Sequence, residues 1–257
     1  MNNTKPLVDR IGKKNITKEG YIIEIINYTN CDNIVVRLDN KINKKTTYGK
    51  FKSGGIKNPY HKTIANVGFY GVGKYKAFEN NKKNINYAIW QAMIKRCYLE
   101  SERKKYPTYV NCTVCEEWHN FQNFAQWHKE NYRKFDNIIF HLDKDLLCGK
   151  KNNKIYSPDT CAYIPSNINK LLNIRQNHRG KYPIGVQWNV KANKFEASFT
   201  KNNKRFYIGV FSTKEEAFFA YKKEKEKFIK ETAKYYKNII PVKIFDALIN
   251  YKVEIND

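Results

Sequence analysis

His141, Asp143 and Asp145 stand two apart in the run Phe140-His141-Leu142-Asp143-Lys144-Asp145. On an extended strand they share one face while Lys144 points from the other, unless a bulge intervenes. A carboxylate or amide that holds a divalent metal, beside a base that deprotonates a water, is the equipment for cutting a phosphodiester. The same residues also read as a turn carboxylate pair beside a strand-end histidine. Cys112-x-x-Cys115 is half of a tetrahedral zinc site that Cys97, His119 or Cys161 would complete. Cysteine is equally a small core residue, and Cys97 lies on one helical stripe with Trp90 and Met93.

A second set of polar residues lies further along. Gln187, Asn189, Lys191, Glu196, Ser198, Thr200, Arg205 and Tyr207 alternate with apolar residues, so they occupy one face of a sheet. Val186, Trp188 and Val190, then Phe195, Ala197 and Phe199, then Phe206, Ile208 and Val210 form the other, with a turn at Asn202-Asn203. Ser212-Thr213-Lys214-Glu215-Glu216 offers a capping box in either register. Ala217, Ala220, Tyr221 and Phe228 then give the next helix a stripe to cover the apolar face. The pattern predicts a three-stranded antiparallel sheet packed on one helix over 180–237.

The elements upstream must position the first set. Residues 20–51 read as short strands broken by Asn-rich turns, and predict a small β-barrel of the Src-homology-three type within 1–65. Apolar residues recur at helical spacing between Asn86 and Tyr98, and Trp118, Phe121, Phe124, Ala125 and His128 suggest a second helix. A strand ending near Leu142, a Gly149–Lys154 turn, a strand near Cys161–Ile164 and a helix from Ser166 follow. The expected class is α+β, with segments at 1–65, 80–175, 180–237 and an extension over 238–257.

Lys and Arg number 48 against 24 Asp and Glu, a net charge of +24. With 15% aromatic and 41% hydrophobic residues, this is a folded cationic chain rather than a polybasic tail. Coding bias toward Lys, Asn, Ile and Tyr would supply lysines without organising them. Residues 180–237 carry fourteen Lys and Arg against six Glu, a net of +8. A polyanion whose counterions are released on contact is the expected partner. No run of about 18 apolar residues and no charged-then-apolar leader is seen, so no membrane partner is expected, and the expected location is the cytoplasm of a bacterial or phage-infected cell. Six cysteines in so long a chain suggest reduced thiols.

Gly185-Val186, Phe195-Glu196-Ala197, Tyr207-Ile208-Gly209-Val210-Phe211, Thr213-Lys214-Glu215-Glu216-Ala217 and Ala220-Tyr221 resemble the APETALA-two/ethylene-response-factor DNA-binding domain. The resemblance implies a sheet lying in the major groove of double-stranded DNA, contacting it through Gln187, Asn189, Ser198, Thr200, Arg205 and Tyr207. Amides at 187 and 189, where plant members usually carry arginine, imply an AT-rich site. Over about 86–173, Trp90, Met93, Arg96-Cys97, Trp118, Phe121, Phe124, Leu142-Asp143-Lys144-Asp145, Tyr156-Ser157-Pro158 and Cys161 resemble the HNH-like endonucleases of bacteriophages. That implies a ββα-metal unit binding Mg or Mn, with Asp143 on the first ligand position and Asn169 on the last. Lys144 stands where the general-base histidine is usual and Thr160 where an asparagine orients it; His141 and Asp145 are the residues placed to compensate. Two readings follow: a metal-dependent DNA endonuclease, or a DNA-binding regulator on a degenerate HNH scaffold. RNA binding ranks behind both, because an RNP-like aromatic motif is lacking.

Overall fold

The computed structural model describes residues 10–39, 41–135, 137–149, 154–172, 181–201 and 204–255. Asn202 and Asn203, and residues 150–153 of the turn expected at Gly149–Lys154, lie outside these. Helix and sheet are mixed, and the chain divides into two compact units, Met1–Pro107 with Glu116–Gln126, and Thr108–Cys115 with Trp127–Asp257.

In the first unit β1 (Lys14–Ile16), β2 (Ile22–Asn30), β3 (Asn33–Leu38) and β4 (Ile42–Thr46) form one antiparallel sheet in chain order. Ile23 pairs with Leu38 and Ile25 with Val36. Their period-two alternation drives these side chains into a core closed by Phe51 and Ile56. Phe51 comes from α1 (Tyr48–Lys52), which Thr47 caps by accepting from the Lys50 N–H at 3.3 Å. The barrel expected here is an open meander among the described residues: β1 pairs with β2, β4 with β3, and the two ends do not meet. Closing a barrel needs ladder bonds along both end strands. Here β1 has three residues, and Lys44 and Lys45 of β4 are exposed, as suits an unpaired edge.

The hairpin β5 (Phe78–Glu79) and β6 (Lys82–Lys83) leads into α2 (Ile85–Tyr98), which buries Trp90, Met93, Ile94 and Cys97. α3 (Glu100–Lys105) follows. Trp90 Nε1 donates to the Trp118 carbonyl at 2.7 Å, so a fully buried indole has its partner. Trp118, Phe121, Phe124 and Ala125 are buried as well.

In the second unit β7 (Cys112–Val114) runs parallel to β9 (Lys154–Tyr156). α4 (Phe121–Asn131) starts in the first unit and ends in this one. β8 (Phe140–Asp143) is followed by the single-turn α5 (Asp145–Cys148), then β10 (Ala162–Pro165) and α6 (Ser166–Leu172). β8 and β10 pair antiparallel, and α6 packs against both, giving a strand–strand–helix motif.

β11 (Val186–Asn189), β12 (Lys194–Lys201) and β13 (Lys204–Phe211) make a three-stranded antiparallel sheet. α7 (Lys214–Tyr235) covers it. The capping box takes the Thr213–Glu216 register, with both reciprocal bonds formed. Gly185 precedes β11 at φ +77°, where a Cβ would sit 2.0 Å from the Tyr221 ring, so only glycine lets helix and strand approach this closely.

A register shift at Ala197/Ser198 changes the expected facing. Glu196 pairs with Val210 and Phe195 with Phe211, while Phe199 pairs with Phe206. Val210 therefore lies on the polar face and Phe211 on the apolar one, because a bulge resets the two-residue period. Val190, expected on the apolar face, lies beyond the end of β11 and is 81% exposed.

The expected extension is part of the core. α8 (Val242–Ile249) buries Ile244 and Leu248 among Ala162, Ile164 and Ile168 of the strand–strand–helix motif and Ile229, Ala233 and Tyr236 near the end of α7. Val253 is buried with Ala197, Phe199, Ala217, Phe218 and Tyr221 under the three-stranded sheet. Residues 238–255 thus join two hydrophobic clusters within one unit. No helix among the described residues is long and apolar enough to cross a membrane.

Candidate nucleic-acid interface

Directly paired residues of an antiparallel sheet share a face. Gln187 pairs with Glu196, Asn189 with Lys194, Ser198 with Tyr207 and Thr200 with Arg205. All six contact residues expected from the strands therefore lie together, with Lys194 added. Lys191 is exposed in the turn after β11. Tyr207 is 55% exposed, and the Arg205 side chain 56%.

Glu196 sits inside this face, its side chain only 8% exposed. It accepts from Asn189 Nδ2 at 2.7 Å and Gln187 Nε2 at 3.4 Å, and it is ion-paired with Arg205 Nη2. Arg205 Nε donates to Ser198 Oγ at 3.2 Å. Burying a carboxylate without such donors would be costly, and here three converge on it. Asn189 is occupied further, since its Oδ1 accepts from the Ala192 N–H at 3.1 Å and closes the turn. Both ends of the Asn189 amide thus have partners within the fold.

In the strand–strand–helix motif His141 is exposed on β8, and Asn169 Nδ2 on α6 lies 3.3 Å from His141 Nδ1. Asp143 follows two residues along the same strand, with Oδ1 accepting from the Leu146 N–H at 3.0 Å. Burial raises the Asp143 carboxyl above its ordinary value, against the Leu146 hydrogen bond. Three of the five expected site residues are therefore on adjoining elements, two of them in contact.

The other two serve a different cluster. Lys144 takes helical dihedrals and ends the strand, so the alternation that would place Asp145 beside Asp143 stops one residue short. Asp145 begins α5 and binds Lys144 Nζ at 2.9 Å and Lys154 Nζ at 2.6 Å. The Lys144 side chain is 4% exposed, with Nζ 5.1 Å from the centres of both the Tyr109 and Tyr156 rings. Burial works against its ammonium, but the Asp145 charge and hydrogen bond, with Cys112 and Tyr109, hold it above the ordinary lysine value. An ammonium so held is a structural cation rather than a base for water. Thr160 donates to the Ile155 carbonyl at 2.5 Å and bonds Ser157, which makes it a turn residue.

Among the described residues no group of three or more His, Cys, Asp or Glu is placed to hold a metal ion. Cys112 Sγ donates to the Thr108 carbonyl at 3.5 Å from the inner side of β7. Burial pushes the Cys161 thiol up to about 12. Both behave as core thiols.

Sequence reasoning placed Glu196 on the polar face without giving it a role. The available signal was its isolation, as the sole acid in the three strands, at the position where the alternation aims it between two amides and an arginine. No protein-family model, no curated protein and no solved structure matches this chain.

Proposed function

We propose that this protein binds double-stranded DNA in a sequence-dependent manner, laying the polar face of β11–β13 into the major groove. The observation that carries the reading is the collection of Gln187, Lys194, Ser198, Thr200, Arg205 and Tyr207 on one face of a helix-backed sheet, within a segment of net charge +8. Solvated polar faces are ordinary in antiparallel sheets. The cationic excess and the ordered guanidinium of Arg205 are what favour a phosphate-rich groove over water.

A second reading, metal-dependent phosphodiester hydrolysis, is favoured by the His141–Asn169 contact. With Asn169 Nδ2 turned to His141, its Oδ1 faces elsewhere, and Asp143 keeps Oδ2 beyond its bond to Leu146. Two oxygen donors of this kind suit Mg²⁺ or Mn²⁺. When bound, such an ion supplies charge stabilisation at a scissile phosphate. The chain itself contributes His141, exposed and oriented by Asn169, as the group able to take a proton from water. The burial of Lys144 leaves no second base at that position, which is the argument for the regulator on an HNH-like scaffold.

The test is to incubate the protein with duplex DNA in Mg²⁺, Mn²⁺ or EDTA beside Asp143→Ala and Asn169→Ala. Retarded duplex in every buffer is expected from the first reading, and no retardation at low salt overturns it. Discrete fragments that need metal and vanish in both variants are expected from the second; intact DNA throughout leaves a binding protein.

A further inference from the structure

The polar groups of β11–β13 do not face outward as independent side chains, because Glu196 has chosen which ends of them are turned in. An ionised carboxylate only accepts hydrogen bonds. The Gln187 amide must therefore present Nε2 to Glu196, at 3.4 Å, and turn Oε1 away. Asn189 presents Nδ2 at 2.7 Å and has its Oδ1 taken by Ala192. Arg205 gives Nη2 to Glu196 and Nε to Ser198, which fixes the guanidinium plane and leaves Nη1 as its outward edge. The face thus offers one oriented acceptor at Gln187 and one oriented donor edge at Arg205.

We propose that Glu196 is the specificity-determining residue of this face, acting as a positioning group on Gln187 and Arg205. This rests on the duplex-binding reading and deepens it. In the major groove an acceptor selects a base bearing an exocyclic amino group, cytosine N4 or adenine N6, whereas a guanidinium edge selects guanine O6 and N7. With Glu196 in place the Gln187 amide is held with Oε1 outward and one Nε2 hydrogen committed to the carboxylate, so a base offering an amino group, cytosine or adenine, is admitted at its base pair. A guanine is selected beside it by Arg205. With a neutral carboxamide at 196 the Gln187 amide is free to turn either end outward, so guanine and thymine, which offer acceptors, are admitted as well, and Arg205 loses the charge that holds it.

The experiment is selection from a random duplex pool with the full chain, comparing wild type, Glu196→Gln and Gln187→Ala, with circular dichroism melting to establish that each is folded. Wild type is expected to select cytosine or adenine next to guanine. Glu196→Gln is expected to relax the first position so that guanine and thymine are also selected, to lower the ratio of specific to random-sequence affinity about tenfold, and to steepen the dependence of log K on log salt by about 0.9. Gln187→Ala is expected to lose preference at that one position, and it reports on the same assignment should Glu196→Gln not fold. A loss of affinity equal on every sequence, with the selected site unchanged in Glu196→Gln, or an unchanged base under Gln187→Ala, overturns the inference while leaving duplex binding standing. Retardation of duplex with no sequence selected by the wild type overturns the sequence-dependent reading and this inference with it.

Discussion

Two acid-centred clusters in the second unit solve the same problem in opposite ways. Around Glu196 the carboxylate is inside, 8% exposed, and its cation Arg205 is 56% exposed. Around Asp145 the carboxylate is 52% exposed, and it is Lys144 that is inside, at 4%. Where the acid is buried, the cation and amides keep a solvent side and can meet another molecule. Where the cation is buried, its charge is used up within the fold, between two tyrosine rings. The same ion-pair chemistry is thus a presentation device in one place and a core element in the other, decided by which partner loses water.

The largest expected effect breaks the core cluster. Asp145→Asn leaves the Lys144 ammonium buried without its counter-ion, and urea unfolding at pH 7 should show a loss of about 3 kcal/mol. Burial alone would raise the Asp145 carboxyl, but Lys144 and Lys154 together hold it below its ordinary 3.8. A depressed carboxylate contributes stability above the unfolded value and loses it as pH falls through the folded one. The gap between wild type and variant should therefore close in acid below 3.8; a gap independent of pH would assign the loss to packing.

The presentation cluster should respond in binding more than in stability. Arg205→Ala combined with Gln187→Ala is expected to lower affinity for the selected site about tenfold or more, and random duplex only about twofold, by titration at fixed salt, since base contacts specify and phosphate contacts position. Equal losses on both would make the face a non-specific one. The smallest effect concerns the flank: Lys191→Ala should weaken binding to all sequences alike and reduce the salt slope by about 1. A change of selected site in that variant would move the reading surface toward the turn.

Much of the second unit was legible locally. Alternation along Phe195–Thr200 identifies the two faces of β12, and Thr213 with Glu216 marks the start of α7, because both signals depend on neighbours a few residues apart. The strands at His141 and Ile164 and the helix from Ser166 were legible for the same reason, whereas α5 and β9 between them were not. The shift at Ala197/Ser198 was not, since a bulge is set by how two strands pair, and it moved Val210 to the polar face. The meander of the first unit shows the strand signals without the closure, which depends on whether the outer strands are long enough to meet. Ile244 and Leu248 stand at helical spacing after Pro241, yet nothing in that spacing says what the helix covers.

Sequence by itself determined the main strands and helices, the cationic excess and most of the polar face, because periodicity and charge are carried by each segment alone. Tertiary structure decided that Asn169 meets His141 across 28 residues, that α8 joins the core of the strand–strand–helix motif, and that Glu196 rather than Arg205 is the buried member of its pair. Those outcomes turn on desolvation, and how much water a side chain loses is fixed only when distant segments close over it.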